Sequence, residues 1–421
     1  MNRSPALPPR QVFLVLTATR WAPVGLVIGL FALVARERGL SVAETVTYTA
    51  FQGIAVLLLE LPTSGLADAL GRRPLLVVAG VINVVCALAY LVAHSFWAFA
   101  AAATLMGVYR ALDSGPLEAW YVDAVHATDP DAEVAGDLAA QGTVTGVTIA
   151  AGSLVSGGLV AWHPWRDHSP LLLPLLLFVA LCVGHLVATL TLLHEPPRTR
   201  PVGGTTHLTA AVRDTPRVVA GAVRLVGHNR VLAGIIAVEL GWCAALVVFE
   251  QLLPIRLAEL VGGPEEAGRW VGPVAAAGWG VFAAGSSLAG RCQHRIGVAR
   301  TAILARVLNG AGAAAMGLAT GPVGLVAAYL ATYGLHGGAG VAHNALLHRE
   351  ATATNRATVL SLNSLVFFAA ASAWAPVLGL VGEHGGVPTA MVVGGLASIL
   401  GLLGYLPALL RPTAGRRIDR P

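Results

Sequence analysis

Apolar residues in this chain run in long blocks separated by short polar breaks. Twelve such blocks can be marked, at approximately 12–35, 43–67, 74–93, 96–122, 138–161, 170–193, 231–254, 268–290, 300–319, 322–346, 358–380 and 387–410. About 20 residues of helix cross a hydrocarbon core. Inside lipid the backbone has no water to bond, so each block is expected to be a helix. The period-two alternation of a membrane barrel is not present. The pattern therefore predicts an all-α polytopic membrane protein with twelve transmembrane helices.

Composition agrees. The chain has 421 residues, of which 56% are hydrophobic and 12% charged, and its mean hydropathy is +0.71. Soluble chains carry about 25% charged residues, so a water-soluble fold of this length would lack the polar surface to cover itself. All 27 basic residues are Arg. Without Lys there is no G-x-x-x-x-G-K-[ST] phosphate loop and no lysine Schiff base, which excludes nucleotide hydrolysis by that route. Cys86, Cys182, Cys243 and Cys292 stand apart with no C-x-x-C spacing and read as small core hydrophobes. The first block is too long for a signal h-region and is expected to stay as the first helix.

The arginines set an orientation. If the N-terminus is inside, nineteen arginines fall in inside segments and five (Arg36, Arg38, Arg166, Arg256 and Arg269) outside. The positive-inside rule then places both termini in the cytoplasm and the chain in the inner (plasma) membrane. One long polar connection, 194–230, divides the chain into an N-terminal bundle at 1–193 and a C-terminal bundle at 231–421. Within it, Ala210–Val226 reads as a flexible linker or as a basic surface helix. Two weak internal repeats support the division. Gly65 to Arg73 is echoed by Arg291 to Gly297 at an offset of about 226, and Gly152 to Gly157 by Ala375 to Gly379 at about 223. Repeats of this kind place a transport site between the halves, near mid-membrane.

The segment Gly65-Leu66-Ala67-Asp68-Ala69-Leu70-Gly71-Arg72-Arg73 resembles the G-x-x-D-[RK]-x-G-R-[RK] signature between helices two and three of the major facilitator superfamily. Ala69 departs from the usual basic residue. With twelve helices and a central connection, the resemblance extends over the whole chain. It implies two pseudo-symmetric six-helix bundles working by alternating access. It also implies a gating network of Gly65, Asp68, Gly71, Arg72, Arg73 and Asp123, the last at the cytoplasmic end of helix four. Gly152 to Gly158 resembles the G-P-x-x-G-G motif of drug-exporting members, with Ser153 for Pro and Ser156 for Gly.

Charges inside the blocks mark candidate chemistry. An ionisable residue at the centre of a membrane helix costs about 2.5–3.5 kcal/mol, so it has to face a partner or a wet cavity. Helix four carries Arg110, Asp113 and Glu118. At helical spacing Arg110 and Asp113 share one face, and Glu118 lies about 80° from Arg110. An acid beside an Arg is a candidate proton carrier; the bland alternative is a permanent Arg110–Asp113 ion pair. The segment also resembles the helix-four Arg motif of proton-coupled facilitators. Arg20, Glu60, Glu239 and Glu250 are expected to line the substrate cavity, and Arg306 is a further intramembrane charge. His336 and His343 read as packing residues rather than metal ligands.

The function expected is secondary active transport, with proton-coupled efflux of a drug-like molecule or secreted metabolite as the first reading. A proton symporter importing a sugar or organic acid is the alternative. A charge moved through about 100 mV supplies roughly 2.3 kcal/mol, which sustains a gradient near fifty-fold at about 1.4 kcal/mol per tenfold. The expected partners are a small-molecule substrate, protons and the lipid bilayer. No nucleic acid, metal or cofactor is expected, a monomer suffices, and no intramembrane enzyme motif of the H-E-x-x-H kind is present.

Overall fold

The computed structural model describes residues 7–63, 70–195, 221, 224–352 and 355–410. Twelve spans appear within them. Span one is Pro9–Val27 followed by Leu30–Glu37; span two is Val42–Thr63 and span three Arg72–Val92. Span four is Phe96–Asp113 followed by Pro116–His126, span five Ala135–Trp162 and span six Leu172–Leu192. Span seven runs through Arg230–Val247, a π-helical segment Val248–Leu252, and Leu253–Val261. Spans eight to eleven are Pro264–Ile296, Val298–Leu318, Pro322–Glu350 and Arg356–Gly385. Span twelve is Val387–Gly401, continued by Leu402–Tyr405 and Leu406–Leu410. Among the described residues ten spans are long and apolar enough to cross a membrane. The two outside that set are span four, which carries Arg110 and Asp113, and span ten, which is rich in Gly and His.

The exposed faces are apolar, as lipid requires. On span three Val78, Val81, Val85, Leu88 and Val92 fall at alternating steps of three and four and are 46–69% exposed. The opposite face of that helix buries Ala79, Asn83, Cys86 and Tyr90. A continuous apolar stripe of this length faces hydrocarbon rather than water. The chain is a multi-pass membrane protein.

The same packing scheme occurs twice. Span one packs on five and six, span two on four, and span three on four and six. In the second half, span seven packs on eleven and twelve, span eight on ten, and span nine on ten and twelve. The halves meet along two seams that exchange under the same operation, span two with eleven and span five with eight. Both weak sequence repeats have a structural counterpart. Gly71 (φ 106°) and Gly297 (φ 85°), 226 residues apart, each precede the first residue of a span in a backbone conformation open to Gly. The Gly152–Gly157 and Ala375–Gly379 segments lie on the two seams: Gly157 against Pro273, and Gly379 against Ala43.

Both seams close at the end of the molecule far from the termini. There the Ser372 hydroxyl donates to the Ala50 carbonyl oxygen at 3.2 Å, and the Ala43 amide donates to Glu383 at 3.1 Å. A Cβ added to Gly272 would lie 2.2 Å from the Ser153 carbonyl oxygen and 2.7 Å from the Gly157 nitrogen. The cavity between the halves accordingly opens toward the side of the termini.

Three spans are broken where they border that cavity. Span one breaks at Gly29 (φ 69°), and span seven relaxes into the π segment at the corresponding place. Span four corrects an expectation, because 96–122 is not one helix. Gly115 takes a left-handed conformation (φ 92°) and Pro116 starts a new helix at its first turn. The helical-wheel angle between Arg110 and Glu118 therefore does not hold. The 194–230 connection, with Ala210–Val226, lies largely outside the described residues.

Gly272→Leu is expected to prop the five–eight seam open. Spin labels at Ala161→Cys and Glu266→Cys, in a background lacking the native cysteines, should then report longer distances than in the parent. An unchanged distance distribution contradicts this seam.

Candidate functional site

A cavity of about 400 Å³ lies between the halves. Its wall is mostly apolar and aromatic, with Trp21, Phe31, Tyr48, Tyr90, Phe178 and Phe368 among the lining residues. The polar lining is Arg20, Glu60, Arg110, Asp113 and Glu250, with the amides Gln52, Asn83 and Gln251. Ligand sites commonly pair an apolar wall with a few fixed polar groups in this way.

Span four supplies the centre of the site. Asp113 ends its first helix and is 2% exposed. The Arg110–Asp113 ion pair, the alternative reading of this segment, does not form. Asp113 instead forms an ion pair with the Nε of Arg20, which crosses from span one. The second helix of span four brings Glu118 to 3.9 Å from Arg20 Nη1, and Gln141 Nε2 on span five donates to Glu118 Oε1 at 2.5 Å. One guanidinium thus faces two carboxylates held by different helices. The break at Gly115 makes this possible, since it re-aims Glu118 toward span five.

Arg110 points into the cavity. Its guanidinium stands 5.9 Å from the centre of the Phe368 ring, which comes from the other half. Among the described residues no carboxylate lies within 4 Å of it. Glu60 on span two and Glu250 in the π segment are the acids whose charges it feels. The Oε2 atom of Glu60 is buried without a hydrogen-bond partner. Span seven's π segment turns both Glu250 and Gln251 to the cavity. Such segments inside α-helices concentrate at functional sites.

Glu239 is placed differently from its expectation. It does not line this cavity. It is 3% exposed inside the second half, with Oε1 at 3.0 Å from His343 Nε2 and receiving Asn363 Nδ2 at 3.2 Å. His343 Nδ1 meets the Tyr405 hydroxyl at 2.7 Å. Nearby Arg306, 1% exposed, stands 4.3 Å from the Trp242 ring centre. His343 therefore has a carboxylate companion, which sequence spacing did not show because Glu239 is more than 100 residues away. His336 does pack: its ring stacks on Trp242 at 5.2 Å. Gln141 and Asn363 were also missed. Their only signal was a lone amide within an apolar span.

At the termini side the loop signature is partly visible. Gly65 and Asp68 lie outside the described residues. Gly71 caps span three, and Arg72 forms an ion pair with Asp123 at the end of span four. The Arg72 amide also donates to Glu195 Oε1 at 2.7 Å, and Arg73 Nη2 to the Leu190 carbonyl oxygen at 2.8 Å. These contacts tie spans three, four and six together within the first half. Arg10 and Tyr121 add a second cluster on Asp137, the Arg10 Nε at 2.6 Å.

Known proteins share this architecture. The nucleoside transporter NupG matches with a TM-score of 0.76 at 14% identity, over 96% of this chain and 100% of that one. A POT family transporter in complex with 5-aminolevulinic acid matches with a TM-score of 0.69 at 13% identity, over 96% of this chain and 97% of that one. At such identities the likeness is one of fold. Among curated proteins no sequence matches this chain. The sequence model of the Major Facilitator Superfamily matches residues 13–376. On that match over most of its length, the chain belongs to the Major Facilitator Superfamily and is a membrane transporter.

Proposed function

We propose that this transporter carries a small organic molecule by alternating access, that the central cavity is its substrate site, and that transport is coupled to protons. The observation that carries the coupling is the Asp113 carboxylate, buried at the cavity wall against Arg20. Protonating Asp113 would release Arg20 to Glu118, which already stands 3.9 Å away. The guanidinium then keeps a carboxylate partner in both states, which a charge in low dielectric requires. Arg110 belongs to the substrate site in this reading, rather than to the proton relay that its spacing from Asp113 suggested.

With both termini in the cytoplasm, as the arginine distribution implies, the conformation described is open inward. The Arg72–Asp123 pair and the Gly71 turn belong to the gate on that side, together with Gly65, Asp68 and Arg73. The resemblance of the span-five segment to exporters favours efflux, with import of an organic acid as the second reading. One feature of the cavity favours that second reading. Among the described residues Arg110 has no carboxylate within 4 Å, so an anionic group on the substrate finds a cation to meet.

Asp113→Asn in proteoliposomes is expected to abolish substrate accumulation driven by a pH gradient while leaving substrate exchange at equal pH. Loss of both together, or of neither, contradicts a proton site at Asp113. The pair also has a thermodynamic signature. Arg20→Ala leaves the Asp113 carboxylate buried without its cation and should cost about 3–5 kcal/mol, whereas Asp113→Ala should cost less because Glu118 remains to pair with Arg20. The double substitution should be less damaging than the sum, as read from melting of the purified chain in detergent.

A further inference from the structure

The cavity's charges are arranged for a ligand that carries both signs. We infer that the site takes a zwitterionic amine–carboxylate metabolite, of the size of an amino acid or short peptide, with its carboxylate on Arg110 and its ammonium between Glu60 and Glu250. This inference rests on the central cavity being the substrate site and adds the charge pattern of the substrate.

Of the two cavity arginines, one is already matched. Arg20 faces Asp113 and Glu118. Arg110 has neither a carboxylate within 4 Å nor a hydrogen bond among the described residues, although it is exposed to the cavity. A guanidinium offers a planar fork of donors that fits a carboxylate with two parallel bonds. Glu60 and Glu250 line the same cavity with no oxygen within 4 Å of its guanidinium, and Glu60 keeps a buried oxygen that no donor reaches. An ammonium carries three donors, enough to bridge both acids.

Other charge types fit less well. A cation meets the bare guanidinium, an anion meets two carboxylates, and a neutral molecule leaves all three charges unanswered in a low-dielectric space. The volume of about 400 Å³ suits a molecule of amino-acid or dipeptide size, with Trp21, Phe31 and Tyr48 receiving an apolar side chain. Placement adds a mechanical consequence. Arg110 and Glu60 belong to the first half, Glu250 to the second. An ammonium held between Glu60 and Glu250 ties the two halves together, whereas an anion on Arg110 alone grips only the first.

The test uses the purified full chain in detergent and a matched set of probes. These are leucine, phenylalanine and the dipeptide leucyl-phenylalanine, each also as its methyl ester, which is a cation, and its N-acetyl form, which is an anion. Binding is measured by ligand-dependent thermal shift. At least one zwitterion should bind about tenfold or more tighter than its ester and its N-acetyl form, a difference of about 1.4 kcal/mol. Arg110→Gln should erase the discrimination against the ester, and Glu250→Gln that against the N-acetyl form. The inference is overturned if no zwitterion of the set binds, if an ester or acetyl form binds as well as its parent, or if the two variants keep the parent's preference. A cavity-filling Thr49→Trp variant separates this from the reading beneath it. Binding lost in that variant but indifferent to charge pattern removes the zwitterion alone; binding untouched by it removes the cavity as the site as well.

Discussion

An ionised side chain inside a bilayer is tolerated only where something replaces the water it has lost, and the arrangement of this protein follows from meeting that condition. Asp113, Arg20 and Glu118 meet it with one another. Glu239 meets it with His343 and Asn363. Arg110, Glu60 and Glu250 meet it by facing a cavity between the halves. The surface stripes on the lipid side carry none of this load, as the Val and Leu residues along span three illustrate. The breaks in spans one, four and seven are part of the same solution. Each interrupts a helix beside the cavity, where irregular backbone is tolerated because it borders a wet space rather than lipid.

Two internal charge clusters, one per half, differ in character. The first sits on the cavity wall and contains an arginine shared by two acids. The second is enclosed, and its residues come from spans seven, ten, eleven and twelve. The enclosed cluster binds four helices of one half into a unit, while the cavity cluster can rearrange without disturbing the seams. The seams themselves are made by close backbone approach. At Gly272 no side chain fits against Ser153 and Gly157, so the contact is broad and free of long side chains that would have to disentangle during rocking. A contact of that kind suits halves that meet and part repeatedly.

The spans, their order and the internal repeat were legible in the sequence because each is written locally, in runs of apolar residues and in glycines at fixed offsets. The site was legible only in part. Arg20, Glu60, Arg110 and Glu250 stood out because a charge in an apolar block is conspicuous on its own, and all four line the cavity. Their partners did not stand out. Spacing along span four suggested Arg110 with Asp113, yet the Ser114-Gly115-Pro116 step turns the chain, and Asp113 finds Arg20 nearly 100 residues away. Glu239 was conspicuous for the same reason as the others and turned inward to His343. Which face a charge presents is decided by the neighbouring helices, and a single sequence carries no record of them.

Arg110 and its neighbours stay charged only if water reaches them from the side of the termini. Single cysteines at Gln52, which lines the cavity, and at Leu58, which is 66% exposed on the same span, provide the direct measurement. They are placed in a chain stripped of Cys86, Cys182, Cys243 and Cys292 and treated with a membrane-impermeant maleimide in vesicles of both orientations. The prediction is rapid labelling at Gln52→Cys from the face that carries the termini, slower labelling from the opposite face, and little labelling at Leu58→Cys from either. Equal and slow labelling at both positions would mean that no water reaches the charges, and the cavity account would fall.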